Sequence, residues 1–200
     1  MKNPSTLVLH PDDRSTDFLN QIYDGKGFTV ETRHKGKDYS KKEFIQQVKD
    51  HDRIIMMGHG YPGGLFMSYI DSTVVYLLRE KECIFIWCNA DQFVNRYELT
   101  GFYTGMFISE VGEANWFKIE TTQAHVDNSN EFFSRLVGEN LDNLVKLHSV
   151  LKENYMSTCP VIQFNNDRLY YKDEESLLAE QDLEDEDIGP AGGYGLASHI

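Results

Sequence analysis

The chain is short of three things. It has only three cysteines, Cys83, Cys88 and Cys159, in 200 residues, too few and too odd in number to form the framework of a disulfide-held secreted domain. It has no long apolar run: stretches such as Ile54 to Met57 are strand-length and fall far short of a membrane span. It has no concentration of positive charge, because the lysine-rich stretch Lys35 to Lys42 is short and diluted by Asp38. No apolar signal-type segment precedes Leu7. These absences argue for a cytoplasmic protein with free thiols and with no nucleic-acid or membrane partner.

What is present is core-forming material. Hydrophobic residues make up 40% of the chain, with 12 Phe and 11 Tyr, which excludes a disordered or collagen-like chain and fits one domain able to bury a core. The net charge of −13 is unevenly spread, since Asp173 to Asp187 holds nine acids and no base. The remainder is only mildly acidic. The expected organisation is one α/β domain over residues 1–172, then an acidic and finally Gly-rich extension over 173–200.

Apolar runs alternate with helical patterns. Thr6 to Leu9 reads as a strand, Thr16 to Tyr23 as a helix, and Phe28 to His34 as a second strand. Ser40 caps a helix with Glu43 placed for a capping box. Arg53 to Met57 is the third strand and runs into Gly58-His59-Gly60, followed by a small hairpin or irregular excursion. Ser72 to Lys81 reads as a helix and Cys83 to Trp87 as the fourth strand. Further on, Met106 to Val111 reads as helical, Trp116 to Thr121 as a fifth strand and Asn130 to Tyr155 as helical. Pro160 to Lys172 alternates around an Asn-Asn pair and reads as a hairpin. Strands apolar on both faces, alternating with helices, predict a mostly parallel sheet with helices on both faces, in three layers.

Ligands of open parallel sheets gather at the carboxyl ends of the strands. Here one such end carries His59 between two glycines and another carries Cys88 followed by Asn89. If the two strands are neighbours, a thiol comes within reach of an imidazole, the minimum apparatus for nucleophilic attack on a carbonyl. Backbone amides of Gly60 and Cys88 would then supply an oxyanion hole. The glycines of Gly58 to Gly64 raise phosphate binding as a competing idea, but no Walker Lys-Ser/Thr follows and Pro62 removes an N–H. No spacing of His, Cys or carboxylates suggests a metal site.

The segments IIMMGHGYPGG, IFIWCNAD, TGMFISEVGEANWFKIET and NSNEFFSRLVGENL, in that order, resemble the caspase-like (clan CD) cysteine peptidases. Within that group they are most similar to CHAT-type domains. The resemblance covers roughly Arg53 to Leu141. It implies Cys88 as nucleophile, His59 as general acid/base and Gly60 as the oxyanion glycine, acting on a protein or peptide substrate without metal or organic cofactor. It also implies possible activation by a partner protein. The chain departs from the pattern at Ala90-Asp91-Gln92, where many CHAT domains carry Ser, Thr or Gly. In such folds the loop after the first strand lines the substrate pocket, here Asp12, Asp13 and Arg14. The run Arg14-Ser15-Thr16-Asp17 resembles, one residue short, the caspase stretch that supplies a pocket arginine. Arg14 in the pocket would select an acidic side chain, Asp12 or Asp13 would select Arg or Lys, and all three equally suit helix-capping roles. The alternative function is a non-catalytic adaptor that keeps the fold and binds through the crevice or the acidic extension.

Overall fold

A strand apolar on both faces needs cover above and below it, and the central strands of this chain are of that kind. In the computed structural model, which describes residues 4–36 and 38–179, β1 (Thr6–Leu9) and β3 (Arg53–Met57) are buried at every position. β6 (Glu82–Ile86) is buried at all but its first residue. With β2 (Thr29–Glu31), β7 (Gly101–Thr104) and β8 (Leu169–Lys172) they form a six-stranded sheet of order β2-β1-β3-β6-β7-β8. Every neighbouring pair is parallel except β7 with β8.

Alternate side chains of the strands feed two apolar clusters. Leu7, Ile54, Met56 and Phe85 meet Phe44 and Val48 of α1 (Lys41–Asp50) and Phe93 of α3 (Ala90–Arg96). Val8, Ile55, Met57 and Ile84 meet Ile22 of the 3-10 helix Arg14–Ile22, Phe133 of α5 (Gln123–Glu139) and Leu147 of α6 (Leu144–Asn154). The chain is therefore α/β, with a mostly parallel sheet and helices against both faces. α1 starts with the expected capping box, in which Ser40 Oγ accepts from Glu43 N at 3.2 Å and Glu43 Oε2 accepts from Ser40 N at 2.9 Å. The excursion after His59 is a hairpin of two-residue strands, β4 (Gly60–Tyr61) and β5 (Gly64–Leu65). Only Val75–Leu78 of the expected Ser72–Lys81 helix is helical, as α2.

Three sequence expectations fail, each for a physical reason. Trp116 to Thr121 is not a strand; α4 (Val111–Trp116) occupies its start, and Lys118 at φ 56° turns the chain away. The partner that β6 takes instead is β7, whose four residues GFYT are too few to show a period. Of the expected Met106 to Val111 helix, residues 106–110 precede α4 as non-helical chain and only Val111 is helical, as the first residue of α4. Ile108 is held on both sides by Asn165: Ile108 N donates to Asn165 Oδ1 at 2.7 Å and Asn165 Nδ2 donates to Ile108 O at 3.0 Å. Pro160 to Lys172 is not a hairpin but α7 (Pro160–Asn166) leading to β8. Pro160 opens the helix, where its missing N–H costs nothing, and the Asn-Asn pair anchors its end, Asn166 Nδ2 donating to Tyr155 O at 2.6 Å.

β8 joins the main sheet and ends at Lys172, and residues 174–179 beyond it are helical. Most of the expected acidic and Gly-rich extension, residues 180–200, lies outside the described residues. Among the described residues no helix is long and apolar enough to cross a membrane.

Asn165 is fully buried, and its amide group serves both backbone polar groups of Ile108. Asn165→Leu leaves those groups unpaired, and its expected cost is roughly 2–4 kcal/mol in urea unfolding. A loss below about 0.5 kcal/mol would show that the Ile108 loop finds other partners.

Candidate functional site

Strand register decides what the loops can reach. β3 and β6 pair from Arg53↔Glu82 to Met57↔Ile86, and two residues beyond the last pair are His59 on one strand and Cys88 on the other. Gly58 N still donates to Ile86 O at 3.1 Å, and then both chains leave the sheet. Gly58 does so at φ 135°, a conformation that side chains oppose. On the other strand Asn89 takes the left-handed φ of 64° and turns Cys88 into α3. Gly60 sits against the other loop: a Cβ there would lie 2.3 Å from Trp87 Cδ1. Only glycine allows the His59 loop to rest on the Trp87 indole, whose Nε1 donates to Tyr61 O at 3.2 Å.

His59, Gly60, Cys88 and Asp13 line one cavity of about 540 Å³, walled otherwise mainly by Phe66, Met67, Met106 and Trp116. On the imidazole side, His59 Nε2 lies 2.6 Å from Ser15 Oγ. The Ser15 hydroxyl donates to Asp13 Oδ1 at 2.6 Å, and the Ser15 amide donates to the same oxygen at 3.0 Å. These two bonds hold the Asp13 carboxyl below the usual carboxylate range, so it is an anion at neutral pH. With its single proton given to Asp13, Ser15 Oγ can only accept from His59. Nε2 therefore carries hydrogen, and in the neutral ring the lone pair is on Nδ1.

The thiol side has different partners. Cys88 Sγ is 3.5 Å from Phe107 O and 3.9 Å from Glu113 Oε1. Glu113 is fixed through its other oxygen, which accepts from Ser109 N at 2.7 Å, Ser109 Oγ at 3.1 Å and Glu110 N at 3.1 Å. Burial, with the Glu113 carboxylate adding to it, pushes the Cys88 thiol up to about 11. Cys88 is thus held as a thiol at neutral pH, bonded to Phe107 and Glu113 rather than to His59. Cys83 is buried, its thiol pushed up further by burial.

Of the charged residues after β1, the structure brings only Asp13 to this cavity. Asp12 is exposed, and its backbone is tied towards β2, its N–H donating to Thr32 O and its C=O accepting from His34 Nε2, both at 3.0 Å. Arg14 lines a neighbouring cavity together with Glu110, Asp127 and Glu131. His10, at the end of β1, is buried between Tyr23 OH at 3.1 Å and Thr16 Oγ1 at 3.0 Å. Among the described residues no group of three His, Cys, Asp or Glu is placed to hold a metal ion.

Sequence reasoning missed Ser15 and Glu113. Asp13 with a serine two residues on has the form of an Asx turn, a signal for the bond between them but not for the histidine beyond. Nothing local ties Glu113 to Cys88. No protein-family model, curated protein or solved structure matches the chain.

Two outcomes are expected from iodoacetamide labelling followed by mass spectrometry. With a thiol pushed up to about 11, the Cys88 rate rises about tenfold per pH unit between pH 7 and 10, following the thiolate fraction. Glu113→Gln removes the neighbouring charge and speeds labelling at pH 8 by roughly 3- to 10-fold. An unchanged rate would mean that the carboxylate does not govern this thiol.

Proposed function

We propose that the chain is a caspase-like, CHAT-related cysteine endopeptidase whose thiol is held protonated at rest. The observation that carries this reading is the convergence of Cys88 and an oriented His59 on one cavity, from the ends of adjacent parallel strands. The resemblance in sequence assigns the same two residues, and Ser15 and Asp13 give the imidazole the tautomer that the chemistry requires.

The chemistry follows from that tautomer. With Nε2–H donated to Ser15, the Nδ1 lone pair is the base that takes the Cys88 proton once the thiol turns from Glu113. The sulfur attacks the carbonyl carbon of a peptide bond, and the carbonyl electron pair moves onto oxygen. The amides of Gly60 and Cys88, both on the cavity wall, are the donors assigned to that oxyanion. Collapse of the intermediate breaks the C–N bond, and the imidazolium gives its proton to the leaving amine. Water, deprotonated by His59, then hydrolyses the thioester and returns the thiol. The negative charge of Asp13 stabilises the imidazolium formed in both halves. A partner protein that moves α4, and Glu113 with it, would release the thiol.

One observation favours the second reading, a binding module without catalysis: the thiol contacts Phe107 and Glu113, not the imidazole. The two separate in an assay of wild type, Glu113→Gln, His59→Ala and Cys88→Ala against a peptide library. A peptidase loses all turnover in Cys88→Ala and about 10²- to 10⁴-fold in His59→Ala. If neither wild type nor Glu113→Gln cleaves any peptide, and His59→Ala leaves Cys88 labelling unchanged in both, the adaptor reading replaces the peptidase.

A further inference from the structure

The cavity that holds the dyad has an unusual rim. Phe66, Met67 and Trp116 are 50%, 51% and 77% exposed and all line it. Tyr61, also exposed, stacks on Phe66 with ring centroids 5.0 Å apart and extends the patch. Large apolar side chains left in water around a concave site mark a surface that something covers. The backbone shares in the arrangement. Met67 is held at φ 54°, a left-handed conformation uncommon for a side-chain-bearing residue, while its carbonyl accepts from Lys35 N at 3.0 Å.

The carboxylates of the cavity are mostly engaged by protein groups. Asp13 Oδ1 accepts twice from Ser15, and Oδ2 faces His59 Nε2 at 4.0 Å. Glu113 gives one oxygen to Ser109 and Glu110 and the other to Cys88. At 4.0 Å from His59 Nε2, Asp13 Oδ2 makes no hydrogen bond to it, and both carboxylates repel a substrate anion. A substrate cation is opposed by the cost of burying its charge beneath the apolar rim. Arg14, the residue that would recognise an acidic side chain, lines the neighbouring cavity together with Glu110, Asp127 and Glu131.

We propose that the subsite beside Cys88 takes a bulky apolar side chain, such as Phe, Leu or Met, of an extended peptide, and selects against acidic and basic ones. That this peptide is the substrate rests on the peptidase reading; that it binds there does not. Phe66, Met67 and Trp116 close over the side chain, and burial of apolar area supplies the selectivity.

The test uses Cys88→Ala, so that binding is read without turnover. The chain has two tryptophans, and Trp87 is 2% exposed against 77% for Trp116, so a blue shift in emission reports Trp116. The peptides acetyl-Ala-Phe-Ala-amide, acetyl-Ala-Asp-Ala-amide and acetyl-Ala-Arg-Ala-amide are titrated in turn. The expected result is a saturable blue shift with the Phe peptide, at a Kd at least tenfold below those of the other two. Phe66→Ala weakens the Phe peptide at least fivefold with its melting temperature unchanged. No saturable shift with the Phe peptide, or equal or tighter binding of the Asp or Arg peptide, overturns the proposal. If the Phe peptide binds as expected but wild type and Glu113→Gln cleave no peptide and His59→Ala leaves Cys88 labelling unchanged in both, the peptidase reading fails and the apolar subsite stands.

Discussion

The Gly60 backbone lies against the Trp87 indole so closely that one added methyl would sit 2.3 Å from a ring carbon. Everything chemical in the cavity depends on that contact. Parallel pairing of β3 with β6 brings the two strand ends level, but pairing alone leaves two loops free to diverge. The glycine lets one loop lie on the other, and the bond from Trp87 Nε1 to Tyr61 O fastens it there. Thr104 Oγ1 donates to the Trp87 carbonyl at 2.9 Å from the β7 side. The Cys88 loop is thus anchored from the β4–β5 hairpin on one side and from β7 on the other.

Two carboxylates divide the cavity, and they act on opposite partners. The Asp13 carboxylate works through the Ser15 hydroxyl on the histidine, fixing which ring nitrogen carries hydrogen. Glu113 sits beside the cysteine, where its negative charge disfavours the thiolate. The thiol's displacement from 9.0 to about 11 corresponds to roughly 3 kcal/mol against ionisation. Most of that comes from burial, so anything that opens the site to water or moves α4 lowers the barrier to ionisation. On the peptidase reading, the base is prepared and the nucleophile is withheld. That combination suits an enzyme switched on by a change of shape better than one regulated by supply of substrate.

Much of the architecture could be read from the chain. β1, β3 and β6 declared themselves because buried parallel strands are apolar on both faces. The α1 start was visible because a capping box is a matter of four consecutive residues. The errors fall where a local pattern had two physical solutions. Asn165 and Asn166 suit a turn, yet one is buried against Ile108 and the other holds the Tyr155 carbonyl, both distant in sequence. Trp116 and Phe117 suit a strand by composition, but they lie at and just past the end of a short helix and remain exposed. β7 went unnoticed because four residues carry no measurable period and its place in the sheet is set by β6 and β8.

The sequence by itself determined the alternation of strands and helices and the positions of His59 and Cys88 at two strand ends, because both are properties of a few adjacent residues. It left three roles open for the charges after β1. Only the tertiary structure separated them, sending Asp13 to the histidine, Arg14 to a neighbouring cavity and Asp12 to solvent. It alone placed Ser15 against His59, Glu113 against Cys88, and Phe66, Met67 and Trp116 around the same opening. Those contacts join residues from separate loops, and their distances follow from how the helices settle on a twisted sheet, which no local run of residues encodes.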